Sequence, residues 1–136
     1  MLNLNNKNLF KTDAYIDGKW ISSSNVTPVI NPATNQKIAD VADFSAEHAR
    51  LGIDAAYKAQ DKWKNKTALE RCDILLKWYE LLLENREDLA QTITAEMGKP
   101  IVEARGEVTY GASFIRWFAE EARRVYGETI PGHMPD

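Results

Sequence analysis

With 136 residues, 44% of them hydrophobic, the chain is long enough to bury a core as a single domain. Its formal net charge is -3, and lysine and arginine are scattered among aspartate and glutamate, so no basic patch indicates nucleic acid or an anionic membrane. A single cysteine excludes an internal disulfide, and no apolar run is long enough for a signal peptide or a membrane span. We therefore expect a cytoplasmic protein with neither nucleic acid nor membrane as a partner.

The first 44 residues carry the signals for two β-hairpins. Residues 1–14 are polar and rich in asparagine, which predicts a flexible N-terminal arm. In AYIDGKWI, Asp17 and Gly18 separate two apolar triplets, which is the strongest short-range hairpin signal. Pro32–Asn35 lies between PVIN and KIADVA and predicts a second hairpin, because Asn-Pro starts turns. We assign residues 15–44 to these hairpins, which are too short to be stable in isolation.

Helical periodicity predicts four helices over residues 45–130. Ser45 is suited to cap the first helix, Thr67 and Glu70 form a capping box for the second, and Asn85 is suited to cap a shorter third helix that runs towards Met97. The apolar stripe of the first helix consists of Ala49, Ile53, Ala56, Tyr57 and Trp63. That of the second consists of Leu69, Cys72, Leu75, Leu76, Tyr79, Leu82 and Leu83, and Ile74, Trp78 and Leu81 widen it.

The run AEMGKP at positions 95–100 has two interpretations, a phosphate-binding loop and a turn between helices. A Walker-type loop requires glycine five residues before Gly98 and Ser or Thr after Lys99, but the chain has Ile93 and Pro100 there. Glycine at the end of a helix can take a positive φ, and proline is suited to the first turn of the next helix. The sequence therefore predicts a helix–helix junction.

The fourth predicted helix, at about 101–126, is apolar on two faces. One face carries Ala104, Val108, Ala112, Ile115, Ala119, Ala122 and Tyr126, and another carries Tyr110, Phe114, Trp117, Phe118 and Val125. A helix with so wide an apolar arc is packed on more than one side. The preceding helices can cover one side, and we expect the other to be covered by something outside this chain.

None of the reactive side chains completes a catalytic or metal-binding pattern. Cys72 lies on an apolar helix stripe, which favours a buried structural thiol over a nucleophile. His48 and His133 lack the spacing of zinc ligands. Glu103 and Glu107 are four residues apart on a charged helix, which favours a solvated face or an ion pair over acid–base chemistry. We predict no catalytic, cofactor-binding or metal-binding residue in the chain.

Several runs in a fixed order identify a resemblance. YIDGKW, VINPATNQKIADV, AEMGKP and SFIRWFAEEARRVYGETIPG follow one another between about Tyr15 and Pro131. Together they resemble the N-terminal part of the aldehyde dehydrogenase superfamily, and most closely its succinate-semialdehyde dehydrogenase branch. The resemblance implies an α/β parent fold of which this chain supplies a mainly α part, with two short N-terminal hairpins followed by about four helices.

The resemblance also implies where this part lies in the parent. Residues 45–130 would be the helical part of the dinucleotide-binding domain, and Tyr110 would line the substrate tunnel. Residues 131–136 would begin a hairpin used in subunit association, truncated after Asp136. Glu96 would lie near a monovalent-cation site of some members, although we expect no ion here. The catalytic cysteine, the glutamate base and the glycine turn that binds NAD or NADP have no counterpart in this chain.

Two hypotheses follow. The first is an N-terminal fragment of an NAD(P)-dependent aldehyde dehydrogenase that oxidises succinic semialdehyde when complete, inactive and without cofactor as a separate chain. Its partner would be the remainder of the parent enzyme. The alternative is a non-catalytic helical module that acts through self-association or a protein partner, using its exposed apolar helix faces.

Overall fold

The computed structural model describes residues 2–134 and confirms a mainly α chain with two short hairpins followed by four helices. The strands are β1 (Ala14–Ile16), β2 (Lys19–Ile21), β3 (Val26–Ile30) and β4 (Lys37–Ala42). The helices are α1 (Ala46–Lys64), α2 (Ala68–Glu84), α3 (Arg86–Met97) and α4 (Ile101–Glu121), and a 3₁₀ turn spans Lys7–Leu9. No helix in the described range is both long enough and apolar enough to cross a membrane.

Local turn chemistry forms the first hairpin where the sequence predicts it. Asp17 has φ of 50° and Gly18 has φ of 76°. A two-residue turn matches the twist of its two strands when both turn residues have a left-handed backbone, as they do here. β1 pairs antiparallel with β2, and this register places Tyr15 opposite Trp20. Their ring centroids are 5.2 Å apart, so the hairpin carries its own aromatic pair.

The second hairpin pairs β3 with β4 antiparallel and is also confirmed. Its turn is closed by Asn31, whose side-chain oxygen accepts hydrogen bonds from the backbone N–H of Ala33 at 2.9 Å and of Thr34 at 3.2 Å. Pro28 lies inside β3 although proline has no backbone N–H to donate to a neighbouring strand. It is accommodated because each of the two sheets has only two strands, so every strand has one edge without a partner strand.

Helix α1 begins after Ser45, but the Ser45 side chain makes no capping hydrogen bond, and the apolar stripe of the helix is not buried. Ile53 is 67% and Tyr57 80% exposed, and the partly covered side of the helix carries His48 and Gly52 instead. Helical spacing identifies an apolar face without identifying a partner for it, and within residues 2–134 the element that α1 contacts most is strand β1. The described residues therefore leave the apolar stripe of α1 largely uncovered.

Helices α2 and α3 both pack against α4. The capping box that starts α2 is confirmed: Thr67 Oγ1 accepts from the Glu70 N–H at 3.2 Å, and Glu70 Oε2 accepts from the Thr67 N–H at 2.7 Å. The buried apolar side chains are mostly small and comprise Leu4, Cys72, Ala90, Ala104, Val108, Ala112 and Ala119. Small residues let the helices approach closely, but within residues 2–134 no large side chain is fully buried.

The second helix follows its predicted pattern with one exception. Ile74, Trp78 and Leu81, which widen the apolar arc beyond one partner surface, are all exposed. Leu69 belongs to the predicted stripe but is also exposed, in the first turn of α2.

Helix α4 ends at Glu121, five residues before its predicted end. The Arg124 N–H donates to the Glu121 carbonyl at 2.8 Å, which closes a tight turn and stops the helix. Val125 and Tyr126 are more than 80% exposed, so a further helical turn has no surface to pack on. Residues 131–134 lie in no strand, and Pro135 and Asp136 of the predicted hairpin start fall outside the described residues.

The N-terminal residues contact the rest of the chain. Leu4 is only 7% exposed, and the Ala42 N–H donates to the Thr12 carbonyl at 2.8 Å. The mobility of residues 1–14 and the division of the chain at residues 14, 44 and 130 stay predictions.

Candidate functional surface on helix α4

The AEMGKP run is the turn between α3 and α4, as predicted. Gly98 has φ of 76° and donates its N–H to the Thr94 carbonyl at 3.0 Å, which ends α3. A Cβ built on Gly98 would lie 3.1 Å from Pro32 Cγ, so the junction also contacts the turn of the second hairpin. Pro100 occupies the N-cap position of α4 rather than its first turn. Lys99 forms an ion pair with Glu107, in the second turn of α4.

One face of α4 is buried against its neighbours. Ala104, Val108, Ala112 and Ala119 are buried, as the sequence predicts for this face. Arg105 holds α4 to α3 through two hydrogen bonds to the Glu87 carboxylate, at 2.7 and 2.8 Å. These hydrogen bonds, together with the opposite charges, lower the pKa of Glu87 and raise the pKa of Arg105, so both side chains stay ionised at neutral pH.

The other face of α4, which we call the aromatic face, is exposed. It consists of Tyr110, Phe114, Trp117 and Phe118. Tyr110 is 66% exposed and Trp117 is 60% exposed. The Tyr110 and Phe114 rings meet edge to face, with centroids 4.9 Å apart and planes at 84°, which orients both rings. The prediction that the chain leaves this face uncovered is confirmed.

A cation contact between α2 and α4 lies beside the aromatic face and is not evident in the sequence pattern. The Arg116 guanidinium lies 5.9 Å from the centre of the Tyr79 ring and donates to Glu120 at 3.0 Å. Glu120 and then Tyr79 raise the pKa of Arg116. The spacing of Arg116 and Glu120 predicts their ion pair, but only the packing of α2 on α4 brings Tyr79 to it.

The predicted reactive side chains do not come together. Cys72 is 3% exposed in the packed side of α2, as expected of a structural thiol. The His48 ring contacts Ser45 Oγ at 3.1 Å, whereas His133 is exposed in the C-terminal segment. Glu103 and Glu107 are both exposed, and Glu107 is engaged by Lys99. Residues 2–134 contain no group of three acidic, histidine or cysteine side chains placed to hold a metal ion.

The strands of the described residues differ in arrangement from those of a dinucleotide-binding sheet. Dinucleotides bind outside the carboxyl ends of parallel strands, where a glycine-rich turn leads into a helix. Both sheets in the described range are two-stranded and antiparallel. Among residues 2–134, the exposed apolar side chains of helix α4 therefore form the candidate contact surface.

A protein-family model described as the aldehyde dehydrogenase family matches residues 20–136. Glutarate-semialdehyde dehydrogenase of Pseudomonas putida is 48% identical over 99% of this chain, and the match covers 28% of that protein. A succinate-semialdehyde dehydrogenase of Escherichia coli named for NADP is 47% identical, again over 99% of this chain and 28% of the relative.

The solved structures give the same result. The crystal structure of an aldehyde dehydrogenase from Brucella melitensis biovar abortus 2308 matches with a TM-score of 0.94 and 46% identity. The match covers 98% of this chain and 28% of that structure. The chain thus spans little more than a quarter of the length of these relatives, and its helices and hairpins are arranged as in the matching part of that crystal structure.

Proposed function

Because this chain belongs to the aldehyde dehydrogenase family, we propose that it is the N-terminal part of a longer NAD(P)-dependent enzyme that oxidises succinic semialdehyde to succinate. The observation that carries the proposal is the coverage of the match. Nearly all of this chain aligns at 47–48% identity, but with only 28% of each relative. NAD or NADP, when bound to the complete enzyme, accepts the hydride that the aldehyde carbon loses.

In such an enzyme this chain contributes packing surface for the remainder of the protein and no reacting group. Its aromatic face and the exposed Trp78 of α2 present large apolar side chains without a partner in the described residues. Apolar surface of this extent marks a contact site. The remainder of the parent is the partner we propose for it, with the nucleophile and the cofactor site in that remainder.

Tyr110 is the residue we propose to line the substrate tunnel. Its ring is exposed and is oriented by Phe114, so it can present a fixed edge to a substrate. The test uses a hybrid in which this chain replaces the matching N-terminal residues of the E. coli relative. Tyr110→Ala should raise the KM for the aldehyde and leave the KM for the cofactor unchanged. Tyr57→Ala, on exposed α1, is the control. Unchanged aldehyde kinetics in Tyr110→Ala would remove Tyr110 from the tunnel.

The substrate within the semialdehyde class is the finer part of the proposal. Glutarate- and succinate-semialdehyde dehydrogenases match this chain almost equally, at 48% and 47% identity. Both names describe a short chain that carries an aldehyde at one end and a carboxylate at the other. We propose the shorter substrate from the motif resemblance, and the ratio of kcat/KM for the two semialdehydes in the hybrid tests it.

The proposal also predicts how the separate chain behaves. The purified 136-residue chain should form no reduced cofactor from succinic semialdehyde and either NAD or NADP, followed at 340 nm. Titration with each dinucleotide should leave the fluorescence of its tryptophans unchanged. Aldehyde-dependent formation of NADH or NADPH by the chain alone would contradict the proposed division of roles.

The alternative function, a non-catalytic helical module, also draws on the exposed aromatic face. Sedimentation and apolar-dye binding distinguish the two. A defined, stable oligomer that does not bind the dye would favour the module, because the face would then be covered by other copies of the chain. Dye binding or aggregation would favour the fragment. A cytoplasmic location stays a prediction, which fractionation of source cells can test.

A further inference from the structure

We propose that residues 2–12 form a strap that positions the second hairpin on the helices, and that Asp88 is the residue that locks it. This inference is independent of the proposed enzymatic activity. Asp88 is 3% exposed and is the only buried carboxylate among residues 2–134. The other charged residues of α3 are at least partly exposed. A buried carboxylate needs hydrogen-bond donors, and the strap supplies them.

The lock consists of three hydrogen bonds to one carboxylate. Asp88 Oδ1 accepts from the Asn5 backbone N–H at 2.9 Å and from the Asn5 side-chain amide at 3.0 Å. Asp88 Oδ2 accepts from the Asn6 backbone N–H at 2.7 Å. Two of the three donors are backbone groups of consecutive residues, so Asp88 fixes the path of the strap itself and not only a side chain.

The strap reaches from this lock to the second hairpin. Leu4, next to the lock, is buried and lines an apolar hollow with Phe10 and Ile38 of β4. Further along, the Thr12 carbonyl accepts the Ala42 N–H at 2.8 Å, which ties the end of the strap to the end of β4. One continuous segment therefore links Asp88 on α3 to Ala42 at the end of β4 and borders a hollow beside Ile38.

The space between α3 and this hairpin is otherwise poorly filled. A cavity of about 50 Å³ lies there, lined by strap residues together with Val29, Ala39, Thr92 and Glu96. At the junction, Pro32 of the hairpin turn lies close to Gly98. A hairpin with so few direct contacts needs the strap to keep one position.

The test compares amide hydrogen exchange by NMR in three versions of the 136-residue chain. Asp88→Asn keeps the size of the side chain but turns an N–H₂ group towards the Asn6 N–H, where donor meets donor. We expect Asn5 and Asn6 to exchange at least about tenfold faster than in the parent chain, since bonds to an ionised carboxylate are the strong ones. Asp73→Asn, an exposed carboxylate on α2, makes the same charge change and should leave both amides unaltered.

The positioning role has its own readout at Ala42, on a different element from Asp88. Its amide should lose protection together with Asn5 and Asn6, while the amides in the middle of α4 keep theirs. Unchanged exchange at Ala42 in Asp88→Asn would overturn the proposal. If Asp88→Asn lowers the helical circular dichroism of the chain, a variant lacking residues 2–6 replaces it, because it leaves all four helices unsubstituted. Protection of Ala42 retained in that variant would overturn the proposal as well.

Discussion

Replacing Gly98 by alanine should destabilise the chain, and the size of the effect follows from the backbone angle of Gly98 and its distance from Pro32. Gly98 has φ of 76°, where an L-residue with a Cβ costs about 1–2 kcal/mol. The new Cβ would also lie 3.1 Å from Pro32 Cγ, inside the carbon–carbon optimum of about 3.5–4.0 Å. Overpacking of this kind costs about 1–3 kcal/mol unless the neighbour moves. We expect Gly98→Ala to lower the free energy of unfolding by about 2–4 kcal/mol.

Urea unfolding followed by circular dichroism at 222 nm measures this change, and a second glycine provides a control of opposite sign. Gly111 lies inside α4 and nothing approaches its position within 4 Å, so Gly111→Ala should stabilise the chain by about 0.5–1 kcal/mol. Combining Gly98→Ala with Pro32→Ala should recover the contact part of the loss but not the backbone part. A Gly98→Ala chain as stable as the parent would refute the reasoning, and so would complete recovery by Pro32→Ala.

Three further predictions concern the helix cap, the strap and the thiol. Thr67→Ala should lower the free energy of unfolding by about 0.5–2 kcal/mol in the same urea assay, because it removes the capping box of α2; an unchanged midpoint would contradict this role. Hydrogen bonds from Asn6 and Asn5 lower the pKa of Asp88, so its contribution to stability is present above the unfolded value of about 3.9 and is lost as the pH falls through the folded value. Amide exchange of Asn5 and Asn6, corrected for intrinsic rates, should therefore accelerate only below about pH 3.9, and acceleration at neutral pH would contradict the lock. Cys72→Ala should leave the kcat of the hybrid enzyme unchanged and destabilise it by about 1 kcal/mol, whereas loss of activity without loss of stability would indicate a nucleophile.

The features that could be predicted from the sequence are those that short segments decide. Asp17 and Gly18 form a turn because both tolerate a left-handed backbone, and Thr67 caps a helix that begins at the next residue. Gly98 ends a helix by the same local chemistry. These choices depend on residues within about four positions of one another, so tertiary packing does not need to be known.

The features that could not be predicted depend on distant partners. The stripe of α1 through Tyr57 has the right period but finds no surface, and α4 stops at Glu121 because its last predicted turn has nothing to pack on. The Asp88 carboxylate accepts hydrogen bonds from residues more than 80 positions away, which no local pattern around it indicates. Asn85 likewise turns its side chain back to the Leu81 carbonyl and gives α3 no side-chain cap.

The aromatic face was identified by combining the apolar periodicity of α4 with the packing of the helices. Periodicity predicts two apolar faces on α4, and the structure shows that the chain covers the one with Ala104 and leaves the one with Tyr110 exposed. Which molecule covers the exposed face is not encoded in the periodicity. The family match supplies the proposal, because the match covers only 28% of each relative.

The most direct test of the central claim is the activity of the hybrid made from this chain and the remainder of the E. coli succinate-semialdehyde dehydrogenase. We expect the hybrid to form NADPH from succinic semialdehyde at a rate within about tenfold of the parent enzyme, and each part alone to form none. A hybrid that folds and assembles like its parent but does not oxidise the aldehyde would contradict the claim that this chain is the N-terminal part of such an enzyme.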